Sequence, residues 1–314
     1  MISLTTHLEN YLAIRRRFGY DLSFQERVLR RFTSFADARG ADHVTVNLFF
    51  AWKEHFGSAN QHTWSNRLSM VRVFAAWLQS IDPRNEVPSS SLIPVKLRRT
   101  QPYIYTGREI EKIATEAAKL PSPYGLRGWT FSTLFGLIAV TGVRISEAIG
   151  LDDEDVDLDE AVLLVRSAKK QSVRLLPISP STARCLELYR AERNRILDSC
   201  TSAFFMHERG RRLKDCCVRY NFARVCQCIG LRGRQRFHKH GQGPRIHDLR
   251  HTFAVRTIMD WYQRGLDPDR EMIKLSTYLG HALPKSTYWY IEAVPELLRL
   301  ALERAEQSIT GGAP

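Results

Sequence analysis

AVLLVRSAKKQSVRLLPI, residues 161–178, decides the fold class, because here the apolar residues come in two short strand-like runs instead of a helical stripe. AVLLV and VRLLPI flank the polar turn SAKKQS, a pattern that predicts an antiparallel hairpin. Outward from the hairpin the periodicity is helical. GREIEKIATEAAKL and the apolar FSTLFGLIAVTG precede it, and helical patterns return over 181–198, 213–229, 247–264 and 286–306. The expected fold class is mainly α with a small antiparallel β-sheet, an α+β domain over 106–314.

Further upstream, residues 1–82 read as an all-helical bundle. In SFQERVLRRF, Ser23 and Glu26 have capping-box spacing, and Phe24, Val28, Phe32 and Phe35 follow as one apolar stripe. Trp64, Leu68, Val71, Ala75 and Leu78 form a second stripe, which Asp82-Pro83 stops. Shorter helices are expected near 5–18 and 45–55. Between the two domains, PRNEVPSSSLIPVKLRRTQPYIY, residues 83–105, has prolines, a serine run and basic residues without a sustained period, as an extended basic linker does.

The chain of 314 residues carries 46 Lys and Arg against 33 Asp and Glu, a net charge of +13, which favours a polyanionic partner such as nucleic acid. Between 206 and 256 there are 13 basic residues against only Glu208, Asp215 and Asp248. The first twenty residues lack an apolar run flanked by a small-residue cleavage site, and nowhere do 18 apolar residues follow one another. A cytoplasmic protein is therefore expected, with no membrane partner and with its six cysteines as thiols.

Four segments carry chemistry. They are TGVRISEAIGL with Arg144, the hairpin turn with Lys169 and Lys170, IHDLRHTF with His247 and Arg250, and LSTYLGHALPKSTYWYI with His281 and Tyr290. His247 and Arg250 are three apart, so a helix would project both from one face. Each segment alone has an ordinary structural reading, such as a salt-bridge arginine or a capping histidine. Their order and spacing, with Tyr290 nine residues after His281, resemble the tyrosine recombinases, the phage-integrase and Xer-like family. TGVRISEA, IHDLRHTFA and LSTYLGH followed by STYWY look most like its transposon-encoded branch.

The resemblance covers essentially the whole chain. It implies a helical core-binding domain over 1–82, a linker over 83–105 and a catalytic domain over 106–314 that ends in an exchange helix. It also implies a DNA strand-exchange transesterase that works on double-stranded DNA without cofactor or metal, as four copies on two sites and with or without companion recombinases. Tyr290 would attack a phosphate to form a 3′-phosphotyrosyl bond. A phenol, with a pKa near 10, needs help to do so at neutral pH. Arg144 and Arg250 would hold the phosphate oxygens as charge builds, His247 would assist the phenolic proton, and His281 would donate to an oxygen. The general acid is expected at Lys169, five residues before Arg174. The family's turn usually has glycines beside its lysine, whereas Ala168 and Lys170 flank Lys169, so Lys170 stays an alternative. Glu147 either orients Arg144 or is an ordinary helix-face carboxylate.

Several other stretches stand outside this set. RGRQRFHKHGQGPR, residues 232–245, is expected to touch phosphates through Arg232, Arg234, Arg236, Lys239 and Arg245, together with Lys170. LDDEDVDLDE, residues 151–160, fails the calcium-loop template and reads as a solvated turn. The spacings of Cys216, Cys217, Cys226 and Cys228 do not match a zinc site. Tyr278, Tyr288 and Trp289 read as packing residues, and PELLRLALERAEQSI carries one apolar stripe on a terminal helix that either folds back or docks on a neighbouring copy. Two other functions remain open at this point: relaxation of supercoils in the manner of a type IB topoisomerase, and DNA binding without catalysis.

Overall fold

The computed structural model of the chain describes residues 3–94, 101–167, 172–197, 201–233, 243–281, 283 and 285–310. It divides into two compact units, Met1–Arg99 and Thr100–Pro314.

The first unit is a bundle of α1 (Leu4–Arg17), α2 (Ser23–Ala38), α3 (Val46–Phe56) and α4 (Gln61–Gln79). Ser3, Thr45 and Asn60 cap α1, α3 and α4 by accepting backbone N–H groups of the first turn. The α4 stripe is buried as its spacing predicts, with Trp64, Leu68, Val71, Ala75 and Leu78 all in the core. The α2 stripe is rotated from the expected one: Leu29, Phe32, Thr33 and Ala36 are buried, whereas Phe24 is exposed. Nor does Ser23 cap α2. Ser23 already lies in the helix, and Glu26 turns to Arg16 and Arg30 on the surface. The expected linker is also shorter than its composition suggests. Asn85 accepts a hydrogen bond from the Val44 amide at 2.8 Å, and Ile93 is buried in the bundle core, so residues 83–94 pack on the first unit.

In the second unit, α5 (Gly107–Ala118) begins at a capping box made by Thr106 and Glu109. α6 (Leu126–Thr141) is the central helix of this unit; Leu134, Phe135, Leu137 and Ile138 are each at most 2 % exposed, and only the side with Trp129 and Val140 reaches solvent. Burying such a side chain stabilises the fold by roughly 1.5–3 kcal/mol. A one-turn helix, α7 (Ile145–Ala148), follows, and then β1 (Val156–Asp157), β2 (Val162–Ser167) and β3 (Ser172–Pro177). These make an antiparallel sheet in the order β1-β2-β3, with Val165 opposite Arg174. The rest is helical: α8 (Pro180–Ile196), α9 (Asp215–Cys228), α10 (Ile246–Gln263), α11 (Pro268–Leu279), α12 (Lys285–Ala293) and α13 (Pro295–Thr310).

Two elements depart from expectation. The acidic run is no solvated turn: Asp153 pairs with the buried Arg193 at 2.8 Å, Asp155 pairs with Arg166 at 2.8 Å, and Asp152 pairs with Arg212. The helical pattern over 286–306 is broken at Val294-Pro295, since proline offers no amide to continue a helix. α13 folds back in the single chain, with Leu297 fully buried and Arg304 donating to the Leu266 carbonyl. No helix among the described residues is long and apolar enough to cross a membrane.

Candidate active site

The site begins where α6 stops. Gly142 takes φ +64°, and a β-carbon there would lie 2.6 Å from the Phe253 ring, so both backbone and space require glycine. The turn frees the Gly142 carbonyl, which accepts from Arg250 Nη1 at 2.7 Å, while Arg250 Nη2 donates to the Leu279 carbonyl at 2.7 Å. Arg250 is 2 % exposed and has no carboxylate partner among the described residues. Burial, and then the nearby Arg144, lower its pKa to about 10, so it stays charged at neutral pH. A buried cation held by two carbonyls and facing another cation is a receptor for an anion.

Arg144 sits at the N-cap of α7 and donates through Nη1 to the Leu279 carbonyl at 3.3 Å and through Nη2 to the Gly280 carbonyl at 3.2 Å. Both arginines are therefore tied to the end of α11. Glu147 fixes their surroundings. Its Oε1 accepts from Arg144 Nη1 at 2.7 Å, and its two oxygens accept from Arg174 at 3.1 and 2.9 Å. Burial pushes the Glu147 carboxyl upward, but hydrogen bonds from Arg174 and from the Arg144 backbone outweigh it and bring the pKa down to about 2. Arg174 also donates from Nε to the Tyr278 carbonyl at 2.9 Å. A β-carbon on Gly280, at φ +65°, would lie 2.8 Å from the Arg174 guanidinium. The hairpin is thus fastened to the end of α11 through β3.

After Gly280, His281 places Nδ1 2.7 Å from the hydroxyl of the buried Thr287. Its ring stacks on Tyr290, with centroids 6.2 Å apart. Tyr290 is 2 % exposed; burial raises its pKa, while the positive charges of Arg250 and Arg144 oppose that rise by favouring the phenolate. His247 is exposed at the edge of the site and meets His251 edge-to-face at 4.6 Å; His251 in turn meets Tyr290 at 5.5 Å. Burial and the neighbouring arginines lower the pKa of His281 to about 3 and shift that of His247 in the same direction, although water at the exposed ring moderates the latter. The resting rings are neutral at pH 7.

Arg144, His247, Arg250, His281 and Tyr290 are thus brought together as their order in the chain suggests. Lys169 and Lys170 lie outside the described residues, as do Arg234, Arg236 and Lys239. Arg245 caps α10 through Asp248 and leaves its side chain half exposed, and Arg232 donates to the Pro244 carbonyl at 2.6 Å. Tyr288 turns outward to Asp269, and Tyr278 stacks on Phe253. Three contributors escaped the sequence reading: Arg174, used there only as a counting mark, Thr287, and His251. Only His251 carried a signal, being one helical turn beyond His247 on the same face.

Residues 105–296 match the model of the phage integrase family. A protein of Sinorhizobium fredii named as an integrase/recombinase, y4rB, is 37% identical over 96% of this chain and 96% of its own length. The tyrosine recombinase XerC of Thermodesulfovibrio yellowstonii is 28% identical over 91% of this chain and 90% of its own. Among solved structures, the Tn1549 transposon integrase in complex with transposon right end DNA superposes with a TM-score of 0.64 at 18% identity. It covers 96% of this chain and 99% of that one, which establishes a shared fold.

Proposed function

The chain belongs to the phage integrase family, and from that premise we propose that it is a site-specific tyrosine recombinase that cuts and rejoins DNA through Tyr290. The observation that carries this reading is the convergence of two anion-receptive arginines and two histidines on one buried phenol. In the first step the Tyr290 oxygen attacks phosphorus as its O–H bond breaks, and the proton leaves with the assistance of His247. Arg144 and Arg250 stabilise the charge on the non-bridging oxygens, and His281 donates a further hydrogen bond. The 5′ oxygen leaves with the bonding electrons and takes a proton from Lys169 or, if the turn is arranged otherwise, from Lys170. The phosphodiester energy is kept in the 3′-phosphotyrosyl bond, so a later 5′ hydroxyl can reverse the step.

The first unit would hold the DNA. Arg27, Arg31 and Arg67 line one cavity of about 360 Å³ with Phe24 and Phe56, and among the described residues none of the three has a carboxylate partner. Arg67 lays its guanidinium over the Phe56 and Trp64 rings, 4.0 and 4.5 Å from their centroids, and its Nη1 has no hydrogen-bond partner among the described residues. Arg232, Arg245 and the basic residues between them would add phosphate contacts, which supply affinity more than sequence choice. Lambda integrase, a further solved structure with this fold, is bound to a core site as a dimer and to a Holliday junction as a tetramer, so a tetramer on two sites is the working assembly we propose, and the Tn1549 likeness favours a mobile element. Incubation with nicked suicide duplexes drawn from the flanks of the encoding element tests the reading. A covalent adduct is expected with the wild type and none with Tyr290→Phe; an adduct that survives the substitution places the nucleophile elsewhere. Strand exchange between two sites, rather than relaxation alone, separates recombination from topoisomerase activity.

A further inference from the structure

For His281 to donate to a phosphate oxygen, its N–H must sit on the nitrogen that the phosphate meets. Burial and the surrounding arginines keep the ring neutral at pH 7, so it has one N–H to give, on either Nδ1 or Nε2. Nδ1 lies 2.7 Å from the hydroxyl of Thr287, which is fully buried on α12. Nε2, on the other side of the ring, has no partner among the described residues. The Thr287 hydroxyl is used unlike those of other helical threonines in this unit. Thr141, Thr252, Thr257 and Thr277 each donate to the carbonyl four residues back, the ordinary habit of threonine within a helix. Thr287 makes no such bond; the Leu283 carbonyl, four residues back, accepts from the Ser286 amide instead. Among the described residues the His281 ring is the one partner of the Thr287 hydroxyl. If that hydroxyl accepted an Nδ1–H, its own proton would be buried with no acceptor among the described residues, at a cost to stability. Donation to the Nδ1 lone pair satisfies both groups with one bond and leaves the ring's proton on Nε2.

We propose that Thr287 is a positioning residue: its hydroxyl donates to Nδ1 of His281 and holds the imidazole in the tautomer whose Nε2–H meets the phosphate. This inference rests on the reading of His281 as a phosphate donor beside the nucleophile Tyr290. The other tautomer would turn a lone pair toward the phosphate oxygens and repel them, so a fixed proton is worth more here than a mobile one. The same bond orders the nucleophile. Thr287 and Tyr290 are three apart on α12 and share a face, and the Tyr290 ring lies over His281 at 6.2 Å with the planes 27° apart. The turn after α11 is thus held at successive residues by the groups that surround the phosphate. Arg144 and Arg250 donate to the Leu279 carbonyl, Arg144 donates to that of Gly280, and Thr287 takes the next side chain, His281. A hydroxyl that never touches DNA therefore sets what His281 can offer to it.

Two readouts on the full-length protein test this. Nitrogen NMR of isotope-labelled histidine, with His281 assigned as the signal lost in His281→Ala, should show a protonated Nε2 and a bare Nδ1 in the wild type. Thr287→Val, which keeps the side chain's shape without its hydroxyl, should show a mixture of tautomers. In single-turnover cleavage of a nicked suicide duplex at saturating protein, Thr287→Val should slow the reaction by about 10-fold, part of the roughly 10²-fold expected for losing an oxyanion donor outright. DNA affinity should change little. Thr287→Ser, which restores the hydroxyl, should recover most of the lost rate. Because Thr287 acts through His281, adding Thr287→Val to His281→Ala should slow cleavage no further. Melting curves identify a variant that fails to fold, and the wild-type spectrum then decides alone. A proton on Nδ1 in the wild type overturns the inference. So does a folded Thr287→Val within about threefold of the wild-type rate, or an undiminished loss in the His281→Ala background. Slow cleavage by His281→Ala and loss of the adduct in Tyr290→Phe test the reading of the site separately, so the positioning role can fail while that reading stands.

Discussion

Glu147 binds two arginines that do different work: Arg144 faces the proposed phosphate site, and Arg174 ties β3 to the end of α11. Its carboxyl is buried and its charge is fully matched, so removing that charge leaves two guanidinium groups repelling each other in a dry setting. Glu147→Gln keeps the shape and should destabilise the fold by about 3 kcal/mol, the low end for breaking a buried pair because Arg144 retains some water. It should also slow cleavage more than it weakens DNA binding, since Arg144 loses its orientation. Melting curves and single-turnover rates check both, and a variant as stable and as fast as wild type would show that Glu147 is an incidental neighbour. At this scale the sequence was informative about residue identity and silent about connection. The order Arg144, His247, Arg250, His281, Tyr290 could be read because each sits beside a recognisable turn or helix start. The Arg174–Glu147 bridge could not, because it joins positions 27 residues apart through tertiary packing that has no local period.

At the scale of elements, periodicity showed which segments are helical but not where they stop or which face is covered. The hairpin was legible from its alternation, and so was the α4 stripe, because both bury regular patterns. α11 was missed although Met272, Leu275 and Leu279 are buried at helical spacing, and the acidic run was misjudged because its partners Arg193 and Arg212 come from distant parts of the chain. α13 shows the two uses one helix can combine. Leu297 is fully buried against its own domain, whereas Leu298 and Leu302 are 48 % and 60 % exposed. Leu297→Ala should therefore cost about 2–5 kcal/mol in melting experiments. Leu298→Glu with Leu302→Glu should leave stability within about 0.5 kcal/mol, as surface changes do, while weakening assembly on paired DNA sites if these leucines meet a neighbouring copy. Sedimentation of the protein on two-site DNA reads the second effect. Unchanged assembly would leave α13 as a purely internal brace.

At the scale of the whole molecule, charge and protonation act together. The chain carries +13 at pH 7, and the candidate active site adds three neutral histidines to two arginines. Unfolded, those rings take up protons near pH 6.5; folded, His251 and His281 do so only near pH 3. Between these values the unfolded state binds more protons, so stability rises with pH through this window. The contribution is complete above pH 6.5 and is lost progressively as acid is added. Glu147 works in the same direction lower down: its carboxylate stabilises the fold above pH 4.5, and that stabilisation disappears as the pH falls toward 2. Melting temperature should accordingly drop between pH 7 and pH 5, before most carboxylates titrate. Replacing His251 and His281 together with phenylalanine should flatten that part of the curve and leave the region below pH 4.5 steep. Bound duplex DNA should oppose the drop, because phosphate charge favours the imidazolium that the free protein resists. A melting temperature that stays level from pH 7 to pH 5 in the wild type, or that falls equally in the double variant, would mean that these rings are already solvated in the free protein and that its site is not built as a dry, cationic receptor.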